Sequence, residues 1–514
     1  MNKQTSRSQG DSHNGSNEKR PLDINLQNNL CIVKEAVGNS SDIIIRELYV
    51  GQEAVKVAIL YTDGLADSKS VNNFILESIM LDSVPHFSHN NAIQILKDHA
   101  LAVGEVKDAT DIDTLLTAIL SGDTAVMIDG FSQCLILGLK GWKDRGVTEP
   151  ATQNVIRGPR EAFSETIRTN TALIRRRIKD PNLRLETKPV GRVTKTDVAI
   201  MYIKGIANEK IVEEVQNRID RIDIDGILES AYIEELIQDE TFTPFPTMSN
   251  TERPDVVAAA LLEGRIAILV DGTPFVLVVP SLFAQYFQSA EDYYQRSDLG
   301  LIRILRYLCF FLALLAPSLY IAITTFHQEM LPTHLLISLA AQREGVPFPA
   351  MVEAFLMEVT FEILREAGIR MPRAIGQAVS IVGALVIGQA AVEAGIISAA
   401  MVIVVSMTAI ASFVFPSYNM AISVRLLRFV FMVLSATYGL FGITVGLFLL
   451  VLHLASLRSF GVPYMSPFAP FIPSDQKDAM FRFPLWAMFS RPHLINQKNI
   501  IRQQQASEAK PRKS

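Results

Sequence analysis

The stretch VAILYTDGLA (57–66) returns as VAIMYIKGIA (198–207), a spacing of 141 residues from Val57 to Val198. The match continues through Lys69/Lys210 and Val71/Val212. A second set of matches, 142 residues apart (118 to 260), pairs Ala118, Leu120, Gly122, Ala125, Asp129 and Gly130 with Ala260, Leu262, Gly264, Ala267, Asp271 and Gly272. Two spacings that agree this closely point to an internal duplication. In each copy a β-rich run leads through a Gly-containing turn into a helical stretch. An apolar run, Asp-Gly and a second apolar run follow (TAVMIDGFSQCLIL, IAILVDGTPFVLVV). Asp-Gly between such runs predicts a hairpin, with a type I′ turn needing positive φ at both central positions. Each copy reads as a small α/β domain.

Working outward, charge is spread unevenly over the 514 residues. Runs 307–326, 374–392, 394–424 and 429–457 contain no Asp, Glu, Lys or Arg. A helix needs about 20 apolar residues to cross the hydrocarbon layer, so these runs predict four spans, and segments near 335–341 and 348–368 leave the number open at four to six. Gly442 and Gly446 form a GxxxG, and Ser380, Ala384 and Gly388 form a small-residue ladder, both suited to close helix contacts in lipid. Arg370 and Arg373, Arg425 and Arg428, and a basic tail from Arg491 each suggest a cytoplasmic side, yet the three do not fit one simple count of crossings. The first 20 residues are polar and lack the apolar core of a signal peptide, which predicts a disordered cytoplasmic tail.

The expected organisation is an α+β cytoplasmic region of two duplicated α/β subdomains followed by a C-terminal α-helical polytopic membrane domain. Its boundaries are a polar tail over 1–42, copy 1 over 43–145, a basic linker over 146–184, copy 2 over 185–300, membrane helices over 301–472 and a polar basic tail over 473–514.

Inside the membrane part, Glu358, Glu362 and Glu366 recur at i, i+4 and i+8, along one side of a helix, with Val352, Leu356, Val359 and Ile363 on another. Charged groups among spans usually face a water-filled path or the bundle interior, and symmetric copies would stack such carboxylates into the rings used by cation pores. The plainer reading is an amphipathic helix lying at the membrane surface. Between the copies lies a basic cluster containing Arg157, Arg160, Arg175, Arg176 and Arg177, read as a contact for anionic lipid or a neighbouring subunit, or as a solvated linker helix.

Other chemistry is missing from the sequence. No phosphate loop, dinucleotide fingerprint, zinc-protease motif, CxxC or nucleophile elbow is present, so no enzyme, cofactor or metal site is expected. Cys31, Cys134 and Cys309 are too dispersed for a disulfide framework or a metal cluster. A net charge of −5 and the lack of a recognisable module argue against nucleic-acid binding.

Several long motifs in order carry a resemblance to a known family. They are TERPDVVAAALLEGR (251–265) running into IAILVDGTPF (266–275), TEP (148–150), RGPREAF (157–163), IRTNTALIRRRIKDPNLR (167–184), and FGVPY (460–464) with PFAP (467–470). Over about residues 45–490 the chain resembles the A subunits of bacterial spore germination receptors, the GerA type. That resemblance implies a multi-pass protein of the spore inner membrane, with its N-terminal region in the cytoplasm. It implies partner B and C subunits and a homo-oligomeric, nutrient-gated channel for monovalent cations such as potassium. On that reading Glu358, Glu362 and Glu366 attract cations, and Thr360 and Phe361 are candidates for lining or gating. A non-conducting membrane scaffold and a secondary transporter remain the alternatives, the latter disfavoured because no repeat is visible among the spans.

Overall fold

The computed structural model describes residues 20–50, 54–73, 92–100, 105–141, 149–150, 153, 155–294, 300–371, 388–488, 490–496 and 499–502. Arg373, Ser380, Ala384, Thr148 and most of the run 374–392 lie outside the described residues. The chain divides into two compact units, one of residues 1–147, 163–188 and 199–204, the other of residues 148–162, 189–198 and 205–514.

The duplication extends to topology. Strands β1 (Ile43–Val50), β2 (Val55–Thr62), β3 (Val106–Ala109), β4 (Thr124–Ile128) and β5 (Cys134–Leu137) form an antiparallel sheet in the order β1-β2-β4-β5-β3. Strands β6 (Leu183–Val190), β7 (Thr196–Ile203), β8 (Ser249–Thr251), β9 (Ile266–Val270) and β10 (Val276–Val279) follow the same order, β6-β7-β9-β10-β8. The Asp-Gly signals do join β4 to β5 and β9 to β10. Their turns differ from the expected type I′, because only the glycines, Gly130 (φ +88) and Gly272 (φ +90), take positive φ. Each connection is five residues long rather than two, so the aspartates are free of the left-handed constraint.

In the first unit, strand β2 is buried on both faces, and its period of two divides its side chains between two cores. Val57, Ile59 and Tyr61 pack with Val71 and Leu96, from helices α2 (Ser68–Asn73) and α3 (Ala92–Ala100). Ala58 and Leu60 pack with α1 (Leu26–Val37) and α4 (Ile112–Leu120). Helix α1 corrects the expectation of a disordered tail over 1–42. Leu26, Leu30, Val33 and Val37 form one apolar stripe, Asn25 caps its first turn, and the helix is part of the core. The expected linker likewise contains a packed helix, α5 (Ile167–Arg177), with Leu173 and Ile174 buried.

In the second unit, α6 (Glu209–Asp220), α7 (Ser230–Ile237), α8 (Pro254–Leu262) and the short α9 (Glu291–Tyr294) precede the apolar helices. These are α10 (Ile302–Thr325), α11 (Thr333–Arg343), α12 (Ala350–Arg370), α13 (Ala399–Phe413) and α14 (Tyr418–Ser456). By length and composition α10 and α14 are each able to cross a membrane, and α13 is a shorter apolar helix. Phe283 and Phe287, which follow β10, share one core with Phe310 and Leu314 of α10, Phe431 and Leu450 of α14, and Tyr464.

Helix α14 reverses direction at Gly439, whose φ of +60 and ψ of −140 are non-helical. In an unbroken helix, residues eight apart stand about 12 Å apart. Here a Cβ on Gly442 would overlap the carbonyl oxygen of Leu434, and one on Gly446 would lie 2.8 Å from the Phe431 ring. The element is therefore a hairpin of two limbs, 418–438 and 440–456, with the GxxxG glycines packed into the first limb. Its apex meets the far end of α10, since a Cβ on Gly439 would lie 2.8 Å from the His327 ring. Its open end meets the segment 243–245, where Ser423 donates to the Pro244 carbonyl and Thr243 Oγ1 lies 2.9 Å from His453 Nε2. The run 429–457, expected as one span, is thus divided at the apex, and 394–424 is divided between α13 and α14.

Helix α12 runs antiparallel to α10. Ala350 and Ala354 cluster with Ile321 near the far end of α10, together with Ile397, Met401 and Met432. Residues 473–502, expected as part of a polar tail, fold back onto the second unit. Asp478 pairs with Arg303, Arg491 donates to the Leu262 carbonyl, and Arg502 pairs with Glu263.

Candidate functional site: a charge cluster inside the helical bundle

The three stripe carboxylates sit at successive levels of α12, and each has an arginine partner. Glu358 is fully buried and forms an ion pair with Arg428, itself 1% exposed, on the first limb of α14. Arg428 Nε also donates to the Ala313 carbonyl of α10 at 2.7 Å, which joins three helices at one point. Ala313 lies 11 residues into α10 and Arg428 ten residues into α14, about 15 Å from the same end of the bundle at 1.5 Å per residue. That is half the thickness of a hydrocarbon layer.

One turn nearer that end, Glu362 receives Arg425 Nη1 at 2.8 Å and Arg365 Nη1 at 3.3 Å. Arg365 Nη2 reaches Ser412 Oγ on α13 at 2.9 Å, while its guanidinium lies over the rings of Phe361 and Phe413. Glu366 pairs with Arg370 at 2.6 Å, with both side chains exposed. Towards the far end, Glu353 is buried. Its Oε2 accepts from the backbone N (3.0 Å) and Oγ (2.8 Å) of Ser398, the N-cap of α13, and its Oε1 lies 3.4 Å from Arg343 Nε. Thr360 and Phe361 are half-buried.

The cluster ties α12 to α10, α13 and α14. Within one chain it presents two carboxylates, Glu358 and Glu362, to three guanidiniums, Arg365, Arg425 and Arg428. Val352, Phe355, Leu356 and Ile363 of α12 point away from the bundle and are exposed. A helix lying flat at a membrane surface would turn its carboxylates outward and its apolar side inward, the reverse of this arrangement.

Sequence reasoning found the carboxylates and missed their partners. Arg425 and Arg428 were assigned to topology as basic flanks. Their i, i+3 spacing places them on one helix face, and this was the signal that matched the i, i+4 spacing of Glu358 and Glu362. Glu353 falls five residues before Glu358, off the stripe, and nothing in its spacing marked it.

The basic cluster divides by environment. Arg175 is 1% exposed and lies inside the first unit, its Nε 2.6 Å from Asp42 Oδ2 and its Nη2 2.9 Å from Ser40 Oγ. It is therefore turned away from lipid and from any neighbouring subunit. Arg157 and Arg160 are exposed, and Arg176 and Arg177 are half-buried.

Two of the long motifs meet in the second unit. Buried Arg253 donates to the carbonyls of Gln153 (3.1 Å) and Pro159 (3.0 Å) and pairs with Asp255 at 2.8 Å, and Tyr294 also donates to Asp255. Where α10 begins, Asp292 accepts from both Arg303 and Arg306. Burial opposes its ionisation, but the two guanidiniums outweigh burial and hold its carboxyl below the usual range.

Comparison with known proteins agrees with the motif reading. The model of a family described as Bacillus/Clostridium GerA spore germination protein matches residues 32–494. Spore germination protein KA of Bacillus subtilis (strain 168) is 53% identical over 498 residues, 96% of this chain and 91% of that protein. An uncharacterized membrane protein of the same organism, YfkQ, is 46% identical over 94% of each chain. Spore germination protein GerLA of Bacillus cereus is 39% identical over 93% of this chain and 97% of that protein. Among solved structures, the N-terminal domain of the A subunit of the Bacillus megaterium spore germinant receptor GerK3 is 43% identical, covering 52% of this chain and 98% of that one, with a TM-score of 0.42. The chain belongs to the GerA family of spore germination proteins, among the germinant receptor A subunits.

Proposed function

We propose that the chain is the membrane subunit of a nutrient-responsive germination receptor in the spore inner membrane, assembling with B and C subunits and with further copies of itself to conduct monovalent cations. The observation that carries this reading is the charge cluster. Five ionisable side chains stand inside an apolar helical bundle, where charges are costly and mark functional paths. The end of the bundle at Arg303, Arg370 and Arg425 is basic and adjoins the second α/β copy, so the positive-inside tendency assigns it to the cytoplasm. With α14 counted as a hairpin, helices α10, α12 and α13 and its two limbs supply five crossings, to which the charge-free run 374–392, expected from its sequence as a span, adds a sixth. An even count returns the C-terminal segment to the side where α10 begins, a topology in keeping with all three basic signals.

The pairing of every stripe carboxylate favours a second reading, in which the cluster packs the bundle and the subunit serves as a scaffold. Potassium flux through proteoliposomes containing all receptor subunits, with Glu358, Glu362 and Glu366 changed singly to Gln, separates the two. A selectivity change in any one variant supports a pore that the stripe lines. Unchanged selectivity in all three removes the stripe from the path, and an assembly that never conducts with nutrient present favours the scaffold.

A further inference from the structure

Aromatic and aliphatic side chains are exposed around the cytoplasmic end of the bundle, on segments with no α-helix of their own to bury them. Phe242 is 94% exposed, and Phe471, Phe481, Phe483 and Leu485 are also exposed. These segments are tied to the ends of the apolar helices on this side of the bundle. Thr243, beside Phe242, bonds His453 in the last turn of α14, and the Pro244 carbonyl accepts from Ser423 near its start. On the other side, Arg303 Nη1 pairs with Asp478 at 3.0 Å and Tyr307 OH donates to the Ala479 carbonyl at 3.3 Å. Phe468 packs edge-on against Tyr307, with ring centroids 6.2 Å apart. Tyr307 is five residues into α10, about 8 Å from the helix start along the axis, so Phe468 and Ala479, which touch it, sit beside the first turns of the helix.

We infer that these two segments form a collar that lies in the headgroup region of the bilayer and sets the depth of the α/β region against it. The inference rests on the membrane reading above. Three observations select lipid as the occupant. The collar continues the exposed apolar flank of α10, where Ile304, Leu305 and Leu308 are exposed at the same level. Aromatic side chains favour this interfacial level, where the ring is apolar and its surroundings are partly wet. At the anchor points polar groups turn inward: Asp478 meets Arg303, the Ala479 carbonyl meets Tyr307, and Thr243 meets His453. Water would leave this apolar surface bare, and isolated apolar patches of this kind on a soluble surface mark interaction sites. Residues 473–485 are thereby a membrane-contacting element rather than part of a free polar tail.

The test uses the full chain with Trp142→Phe and Trp486→Phe, and single tryptophans introduced as Phe242→Trp, Phe471→Trp or Phe483→Trp. Proteins are reconstituted in vesicles of phosphatidylcholine and phosphatidylglycerol, with bromine carried at shallow or deep acyl positions. Leu449→Trp, exposed midway along the second limb, reports the hydrocarbon layer. Val193→Trp, in the β6–β7 loop beside Asp225, reports the aqueous side. Collar tryptophans are expected to show blue-shifted emission and loss of fluorescence to shallow bromine, while Val193→Trp shows neither. Unquenched, water-like collar emission alongside a quenched Leu449→Trp overturns the collar and leaves the membrane reading standing. If Leu449→Trp is also unquenched, the membrane reading itself falls. Blue-shifted collar emission that ignores bromine and grows with protein density assigns the surface to a second copy and overturns the proposal. The native Trp486 of the same segment, read in the Trp142→Phe protein, gives the same comparison without a new side chain in the collar.

Discussion

Replacing Glu358 with Gln removes the counter-charge of a guanidinium that is 1% exposed. Removing one partner of a buried ion pair costs about 3–5 kcal/mol, because the remaining charge is left without compensation. Arg428 keeps its bond to the Ala313 carbonyl, and the new carboxamide oxygen still accepts one hydrogen bond, so the lower figure of about 3 kcal/mol applies to Glu358→Gln. Arg428→Met leaves Glu358 buried without its directly bonded cation, at a similar cost. The double variant Glu358→Gln/Arg428→Met removes both charges and leaves two polar groups, the new carboxamide and the Ala313 carbonyl, short of a partner, at about 1 kcal/mol each. The two single losses therefore exceed the double loss by several kcal/mol. Equilibrium unfolding by dodecyl sulfate titration in mixed micelles measures all three, and flux assays on the same proteins show whether selectivity follows stability. Additive losses, with a coupling under about 0.5 kcal/mol, would refute the pair as a structural tie between α12 and α14.

Gly442→Ala drives a Cβ into the Leu434 carbonyl and is expected to cost about 1–3 kcal/mol, whereas Gly345→Ala meets nothing within 4 Å and should be neutral in the same titration. Burial, reinforced by the charge of Glu229, pushes the Glu234 carboxyl up to about 7. The folded state then holds a proton that the unfolded chain has released between about pH 4.5 and 7, so stability falls as pH rises through that window, by at most about 3 kcal/mol. Glu234→Gln should flatten this fall when unfolding is compared at pH 5 and pH 8, and an unchanged slope assigns it to another group. Burial also pushes the Cys134 thiol up to about 12. A maleimide should label exposed Cys31 in the native protein and reach Cys134 only after denaturation, as mass spectrometry of the labelled peptides would show.

Much of the α/β fold was legible because its signals are local. The repeat at 57–66 and 198–207 placed equivalent strands in equivalent positions, and Asp-Gly marked both hairpins. A turn type depends on the length of loop that the ladder leaves unpaired, which no dipeptide encodes, and so the predicted type I′ geometry was not found. Helix α1 had a readable stripe, Leu26, Leu30, Val33 and Val37, that was masked by the polar residues preceding it. Of the candidate site, the carboxylate stripe was visible in spacing alone. Its neutralisation was hidden because Glu358 and Arg428 are 70 residues apart, and a lone basic residue near a span reads equally as a topology flag.

Sequence by itself determined the duplicated α/β architecture, the apolar helices, the carboxylate stripe and, through its long motifs, the family. These follow from periodicity, composition and residue order, which are properties of neighbours along the chain. Tertiary structure decided that 418–456 folds into a hairpin at Gly439, that residues 473–502 return to the second unit, and that the stripe faces arginines. Each of those outcomes depends on which distant surface a group meets. A buried charge must find its counterpart somewhere, and only the folded chain specifies where.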